Sequence, residues 1–143
     1  MQKIFILFLS CIPSIALALE NPITFSIDRI NDPEGREKIE VTCSENAICK
    51  VTFDYGDYEA SGVIEKKTMQ DFIKANNIAN LSSTYDTKCS KKNFNIAWAI
   101  TAPNVSKQGY KCTDSGNVPN QIIVLEGILV KIPHSELTKK QSH

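Results

Sequence analysis

Between Lys38 and Glu65, apolar residues recur at every second position, and two short turns interrupt the alternation without changing the side on which they fall. Few folds accommodate such a stretch, because a period of two marks a strand buried on one face only. Read as strands Lys38–Cys43, Cys49–Tyr55 and Tyr58–Glu65, one face carries Ile39, Val41, Cys43, Cys49, Val51, Phe53, Tyr55, Tyr58, Ala60, Gly62 and Ile64. Thr42, Lys50, Thr52, Asp54, Glu59 and Ser61 take the other.

The turns fix the register. Gly56-Asp57 suits a two-residue hairpin loop with glycine first, which sets Tyr55 opposite Tyr58, Phe53 opposite Ala60, Val51 opposite Gly62 and Cys49 opposite Ile64. The five-residue turn Ser44–Ile48 sets Cys43 opposite Cys49, Val41 opposite Val51 and Ile39 opposite Phe53. A slip of one residue in either would turn a whole apolar set to water. The expectation is therefore an antiparallel meander.

A helix should follow. Thr68 with Asp71 resembles a capping box, and Met69, Phe72, Ile73, Ile78 and Ala79 give an approximate helical stripe that could cover the apolar sheet face. Core packing is the ordinary role of Met69 and Phe72 at this spacing. Asn76-Asn77 weakens the last turn.

The chain opens differently. Met1-Gln2-Lys3, an apolar run to Ile15 and the small-x-small sequence Ala16-Leu17-Ala18 have the layout of a signal peptide, 1–18, cleaved after Ala18. A lipoprotein signal at Cys11 would leave Ile12–Leu19 as an odd apolar tether, and the run, broken by Pro13, falls short of the ~20 residues that span a bilayer. Export places the protein in the periplasm. No membrane insertion is expected after cleavage. Of five cysteines, cleavage leaves Cys43, Cys49, Cys89 and Cys112. An even set in an exported chain of this size points to disulfides, and four cysteines allow three pairings. The meander register selects 43–49 and leaves 89–112, which closes the longer loop and is worth roughly 3 kcal/mol in a chain-entropy treatment.

Of the rest, Ile23, Phe25 and Ile27 alternate as an opening strand, and Asn31–Gly35 is dense in turn residues. Asn80–Asn93 reads as a long polar loop anchored by Cys89. Phe94–Thr101 reads as a strand whose second face, Asn95, Ala97, Ala99 and Thr101, is small enough for another element, such as the helix, to approach. Ala102–Gly109 reads as a loop, Tyr110–Cys112 as a short returning strand and Thr113–Asn120 as a second polar loop. Gln121–Ile132, apolar on both faces, reads as a central strand with a bulge or bend at Glu126-Gly127. Residues 135–143 read as a disordered tail. The expected class is α+β: a mainly antiparallel sheet with one helix packed on it, two disulfides, and a single domain over 19–134.

The chemistry favours binding over catalysis. Sixteen basic and sixteen acidic residues balance, so there is no basic footprint for nucleic acid. No Cys-x-x-Cys pair suggests zinc, and no cofactor motif appears. Paired cysteines are not nucleophiles, there is no Gly-x-Ser-x-Gly elbow, and His134 beside the tail has the setting of a solvated histidine. Asn80-Leu81-Ser82 and Asn104-Val105-Ser106 match the glycosylation pattern, which matters only in a eukaryotic secretory route, and the short n-region and compact signal read as bacterial.

Asp54 falls opposite Glu59 with Asp57 between them, and like charges so placed destabilise a sheet. The tip is hydrated and screened, or meets a basic partner surface, or holds calcium with irregular ligand spacing. A glycosidase carboxylate pair would need a cleft that a hairpin tip does not supply. Candidate partner-binding residues are Asp54, Asp57 and Glu59 at the tip, with Asn104, Ser106, Lys107, Asp114, Ser115 and Asn117 in the two loops, where binding residues commonly sit. Size, export and build resemble periplasmic immunity and lysozyme-inhibitor proteins, although no family motif covers any stretch. The expectation is a non-enzymatic binding protein, an inhibitor or immunity protein whose partner is a cell-wall hydrolase or bacteriocin. The alternatives are an accessory or structural subunit of a pilus or secretion system, using Gln121–Ile132 or an open edge for strand addition, and a small secreted hydrolase.

Overall fold

The computed structural model describes residues 22–32, 35–85, 94–112 and 118–141. In chain order it contains β1 (Ile23–Asp32), β2 (Gly35–Cys43), β3 (Ile48–Asp54), β4 (Tyr58–Glu65), α1 (Lys66–Ala75), a 3-10 turn (Ile78–Asn80), β5 (Thr84–Tyr85), β6 (Ile96–Ala102), β7 (Val105–Lys111), α2 (Asn120–Leu129) and β8 (Thr138–Lys139). The strands form one sheet in the order β5-β7-β6-β1-β2-β3-β4-β8. Every pairing is antiparallel except β5 with β7. The sheet-rich α+β class holds, with two helices where the sequence suggested one.

The meander forms in the expected register. Ile39 lies opposite Phe53 and Val41 opposite Val51; Val51 lies opposite Gly62, Phe53 opposite Ala60 and Cys49 opposite Ile64. At the tip, Tyr55 N–H donates to the Tyr58 carbonyl at 2.9 Å, and Gly56 takes the left-handed φ of 77° that the turn requires. Cys43 and Cys49 are buried and disulfide-bonded, with Cα atoms 4.1 Å apart. Closing so short a loop stabilises the fold by roughly 2 kcal/mol in a chain-entropy treatment. The other expected bridge, 89–112, involves Cys89, which lies outside the described residues, as does the expected signal peptide 1–18.

One face of the sheet carries the core. Ile23, Phe25 and Ile27 of β1 join the meander's apolar set and Trp98 and Ile100 of β6, and both helices close over this face with Met69 and Phe72 from α1 and Ile122, Leu125 and Leu129 from α2. Helix α1 starts at Lys66, before Thr68, and its N-cap residue Glu65 makes no side-chain cap. The expected capping box does not form, because Asp71 pairs instead with Lys67 one turn back. The start is held another way: Lys66 is buried, its backbone N–H donates to the Ala47 carbonyl at 2.7 Å, and its ammonium donates to the Ser44 carbonyl at 3.0 Å. Both contacts clamp the turn that the disulfide closes. The Asn pair ends the helix, with Asn77 at a left-handed φ of 51°.

The expected strand Gln121–Ile132 is a helix. Its buried residues, Ile122, Leu125 and Leu129, recur at helical spacing, and the Pro119 carbonyl accepts from the Ile122 and Ile123 amides at its start. Ile123, Val124 and Ile128 are apolar but exposed, so the helix has almost no amphipathic contrast and imitates a strand buried on both sides. Glu126-Gly127 lies mid-helix and is neither bulge nor bend. The expected loop Ala102–Gly109 contracts to the turn Pro103-Asn104 between β6 and β7, with Asn104 at a left-handed φ of 60°. The expected loop from Asn80 contains the end of the 3-10 turn and β5 before residues 86–93, which lie outside the described set.

Residues 135–141 are not a loose tail. Pro133 and His134 cross the core side of β4 at Gly62, where an added Cβ would sit 2.7 Å from the Pro133 carbonyl oxygen. The chain then runs along the β4 edge as far as Lys140.

Candidate functional site

Because the pleat alternates, closing one face with helices leaves the other to β-strand side chains alone. Three rows cross it, each read through successive pairings. One runs Tyr110, Ala97, Asp28, Lys38, Asp54, Glu59; the next Gln108, Ala99, Ser26, Glu40, Thr52, Ser61; the third Ser106, Thr101, Thr24, Thr42, Lys50, Val63.

The small residues of β6 belong to this face. The sequence suggested that α1 approaches them, but α1 packs on the opposite side, against the core. Ala97 and Ala99 instead floor a furrow of about 230 Å³, with Gln108 and Tyr110 on one bank and Ser26, Asp28 and Lys38 on the other. The depth is a consequence of side-chain length, since two alanines lie between strands that carry longer groups.

The charges beside the furrow are paired. Arg36 donates to both carboxylate oxygens of Asp28, at 3.2 and 2.8 Å, and Lys38 lies 2.8 Å from Glu40. The hydrogen bond to Asp28, its charge, and more distant acids hold the Arg36 guanidinium above its ordinary pKa against a small desolvation penalty. At the lower corner, Thr24 and Thr101 share a hydroxyl hydrogen bond.

The acidic tip has a resident cation. Lys140 reaches Asp54 at 2.6 Å, and its amide donates to the Asp57 carbonyl at 2.8 Å. Partial burial alone would raise the Asp54 pKa; the bond from Lys140, the Gly56 amide at 2.9 Å and the charges of Lys140 and Arg36 outweigh it and lower the value. The chain's own C-terminal segment thus offsets the like-charge pairing of Asp54 and Glu59. Asp57 and Glu59 remain exposed.

The remaining candidates do not converge. Asn104 lies in the β6–β7 turn, Ser106 opposite Thr101 on the open face, and Lys107 opposite Ile100 on the core side. Asp114, Ser115 and Asn117 lie outside the described residues. His134 is exposed, with its Nδ1–H donating to the Ile132 carbonyl at 3.1 Å and its ring 5.0 Å from that of Phe53. Among the described residues, no group of three His, Cys, Asp or Glu is placed to hold a metal ion, and no helix is long and apolar enough to cross a membrane. The furrow was half-visible in the sequence as the small face of β6; Lys140 and Arg36 gave no signal there.

Comparison with known protein families, with curated proteins and with solved structures found no match.

Proposed function

We propose that this chain is an exported, non-catalytic binding protein of the inhibitor or immunity type, acting in the periplasm on a cell-wall-degrading enzyme or bacteriocin. The furrow over Ala97 and Ala99 is the observation that carries the reading. At about 230 Å³ it is smaller than the roughly 300–1,000 Å³ typical of small-molecule sites, and it suits a single large side chain from a protein partner. Protein interfaces commonly seat one anchor residue in such a depression inside a polar rim. The Arg36–Asp28 and Lys38–Glu40 pairs supply that rim, and their alternating signs select a partner more than they attract one. The buried disulfide in the meander favours an oxidising compartment.

Size-exclusion chromatography against a panel of purified cell-wall hydrolases and bacteriocins tests this reading. A discrete complex should form with one of them and be lost in Ala99→Arg, which fills the furrow without touching the core. A complex indifferent to Ala99→Arg would remove the furrow from the reading. Hydrolysis by the chain alone that disappears in His134→Ala would overturn the non-enzymatic assignment. The alternative, an accessory or structural subunit of a pilus or secretion system, rests on an open sheet edge for strand addition, since most of Gln121–Ile132 is folded as α2.

A further inference from the structure

The backbone bond between Tyr55 and Tyr58 turns Tyr58 towards β3, so Asp57, Glu59, Ser61 and Val63 direct their backbone groups outward, along the edge. The C-terminal segment covers this edge incompletely. His134 pairs with Gly62, but Thr138 pairs with Glu59 and Lys139 with Tyr58, a register one residue displaced. Between these points, the Ser61 amide donates to the Ser135 hydroxyl, and only the Ser135 amide returns a backbone bond, 2.8 Å to the Ser61 carbonyl. Residues 135–139 are all exposed, and the regular strand is two residues long. The near end is firm, with Ile132 packed on the core and His134 against Phe53. The far end is held by the two-residue ladder on Glu59 and Tyr58, by the Thr138 hydroxyl on the Glu59 carbonyl at 3.2 Å, by the Lys140 amide on the Asp57 carbonyl at 2.8 Å, and by one side-chain ion pair, Lys140 to Asp54.

We propose that the β4 edge is a strand-docking site, that residues 135–141 are its internal stand-in, and that its external occupant is an extended segment of another protein with basic residues at alternate positions. Such a strand would keep one register along β4 and complete the backbone ladder that the stand-in breaks. Its basic residues would meet Asp54 and Glu59, which share the open face at the tip. The resident segment shows the chemistry that fits: antiparallel, with Thr138 and Lys140 on the acidic side. Tethering gives that segment an effective concentration of the order of millimolar, so it keeps the edge closed until a better-registered strand arrives. This inference is independent of the furrow.

The test uses the full chain and a fluorescent synthetic peptide with the sequence of residues 134–141. Lys140→Glu loosens the resident segment and should raise peptide affinity at least tenfold over the unaltered chain. Asp54→Lys combined with Lys140→Glu restores the internal pair with its signs reversed, and affinity should fall back. Circular dichroism and an intact Cys43–Cys49 bridge certify the fold of each variant, and truncation after Ser135 provides a second open form. Equal peptide affinity in the unaltered, Lys140→Glu and truncated chains would overturn the proposal. So would concentration-dependent dimers of Lys140→Glu that exclude the peptide, since the edge would then serve exchange between copies.

Discussion

Arg29 grips Glu126 through two parallel hydrogen bonds, Nε to Oε1 and Nη2 to Oε2, each 2.7 Å, and so ties β1 to the middle of α2. The side chains are 26% and 13% exposed, which places the pair between surface and core. Glu126→Ala should cost about 1–3 kcal/mol, as expected when a charge-assisted bond is lost and its partner stays half-buried. Urea denaturation measures it, and the double variant with Arg29→Ala should cost less than the sum of the two.

The same helix offers a test of its periodicity. Leu125 is fully buried and Val124, its neighbour, is half-exposed. Leu125→Ala should cost about 2–5 kcal/mol. Val124→Lys should change stability by no more than about 0.5 kcal/mol. A strand buried on both sides would suffer from either, so thermal unfolding of the two variants separates the two conformations.

Why the meander was readable and α2 was not follows from what each shows to water. Along Ile39–Cys43 and Cys49–Phe53 every second residue is polar, and two turns of defined geometry make the register overdetermined. In α2, Ile123, Val124 and Ile128 face solvent, and the contrast that distinguishes period 3.6 from period two is erased. The C-terminal segment failed for a different reason: Ser135–Lys140 is held by backbone groups of β4 and by Asp54, and composition records neither. For the furrow, Ala97 and Ala99 were visibly small, but only the placement of α1 decides whether they are covered.

Gly109 should prove indispensable to the far edge of the sheet. It lies opposite Trp98, and an added Cβ would stand 2.5 Å from the Thr84 carbonyl oxygen and 2.6 Å from the indole Nε1. Backbone on one side and a buried ring on the other leave little room to yield. Gly109→Ala should therefore cost about 1–3 kcal/mol and separate β5 from β7. The chain has one tryptophan, so the emission shift of Trp98 reports the disturbance directly.

Acid should release the C-terminal segment before it unfolds the sheet. The Lys140 contact and the Gly56 amide hold the Asp54 pKa below the ordinary value in spite of partial burial. A carboxylate depressed in the folded state contributes stability that is complete above its unfolded value, about 4, and is lost as pH falls through the folded one. With Asp54 protonated, Lys140 has no charged partner there, and the like-charge strain against Glu59 no longer needs relief. Exchange of the Lys140 amide with solvent, corrected for its intrinsic pH dependence, should accelerate as pH is lowered past that range while the amides of Val41 and Val51 stay protected. Asp54→Asn should give fast exchange at Lys140 already at neutral pH and remove the acid transition. A transition that persists in Asp54→Asn would assign the release to another carboxylate, and Glu59, on the same face, would be the next to substitute.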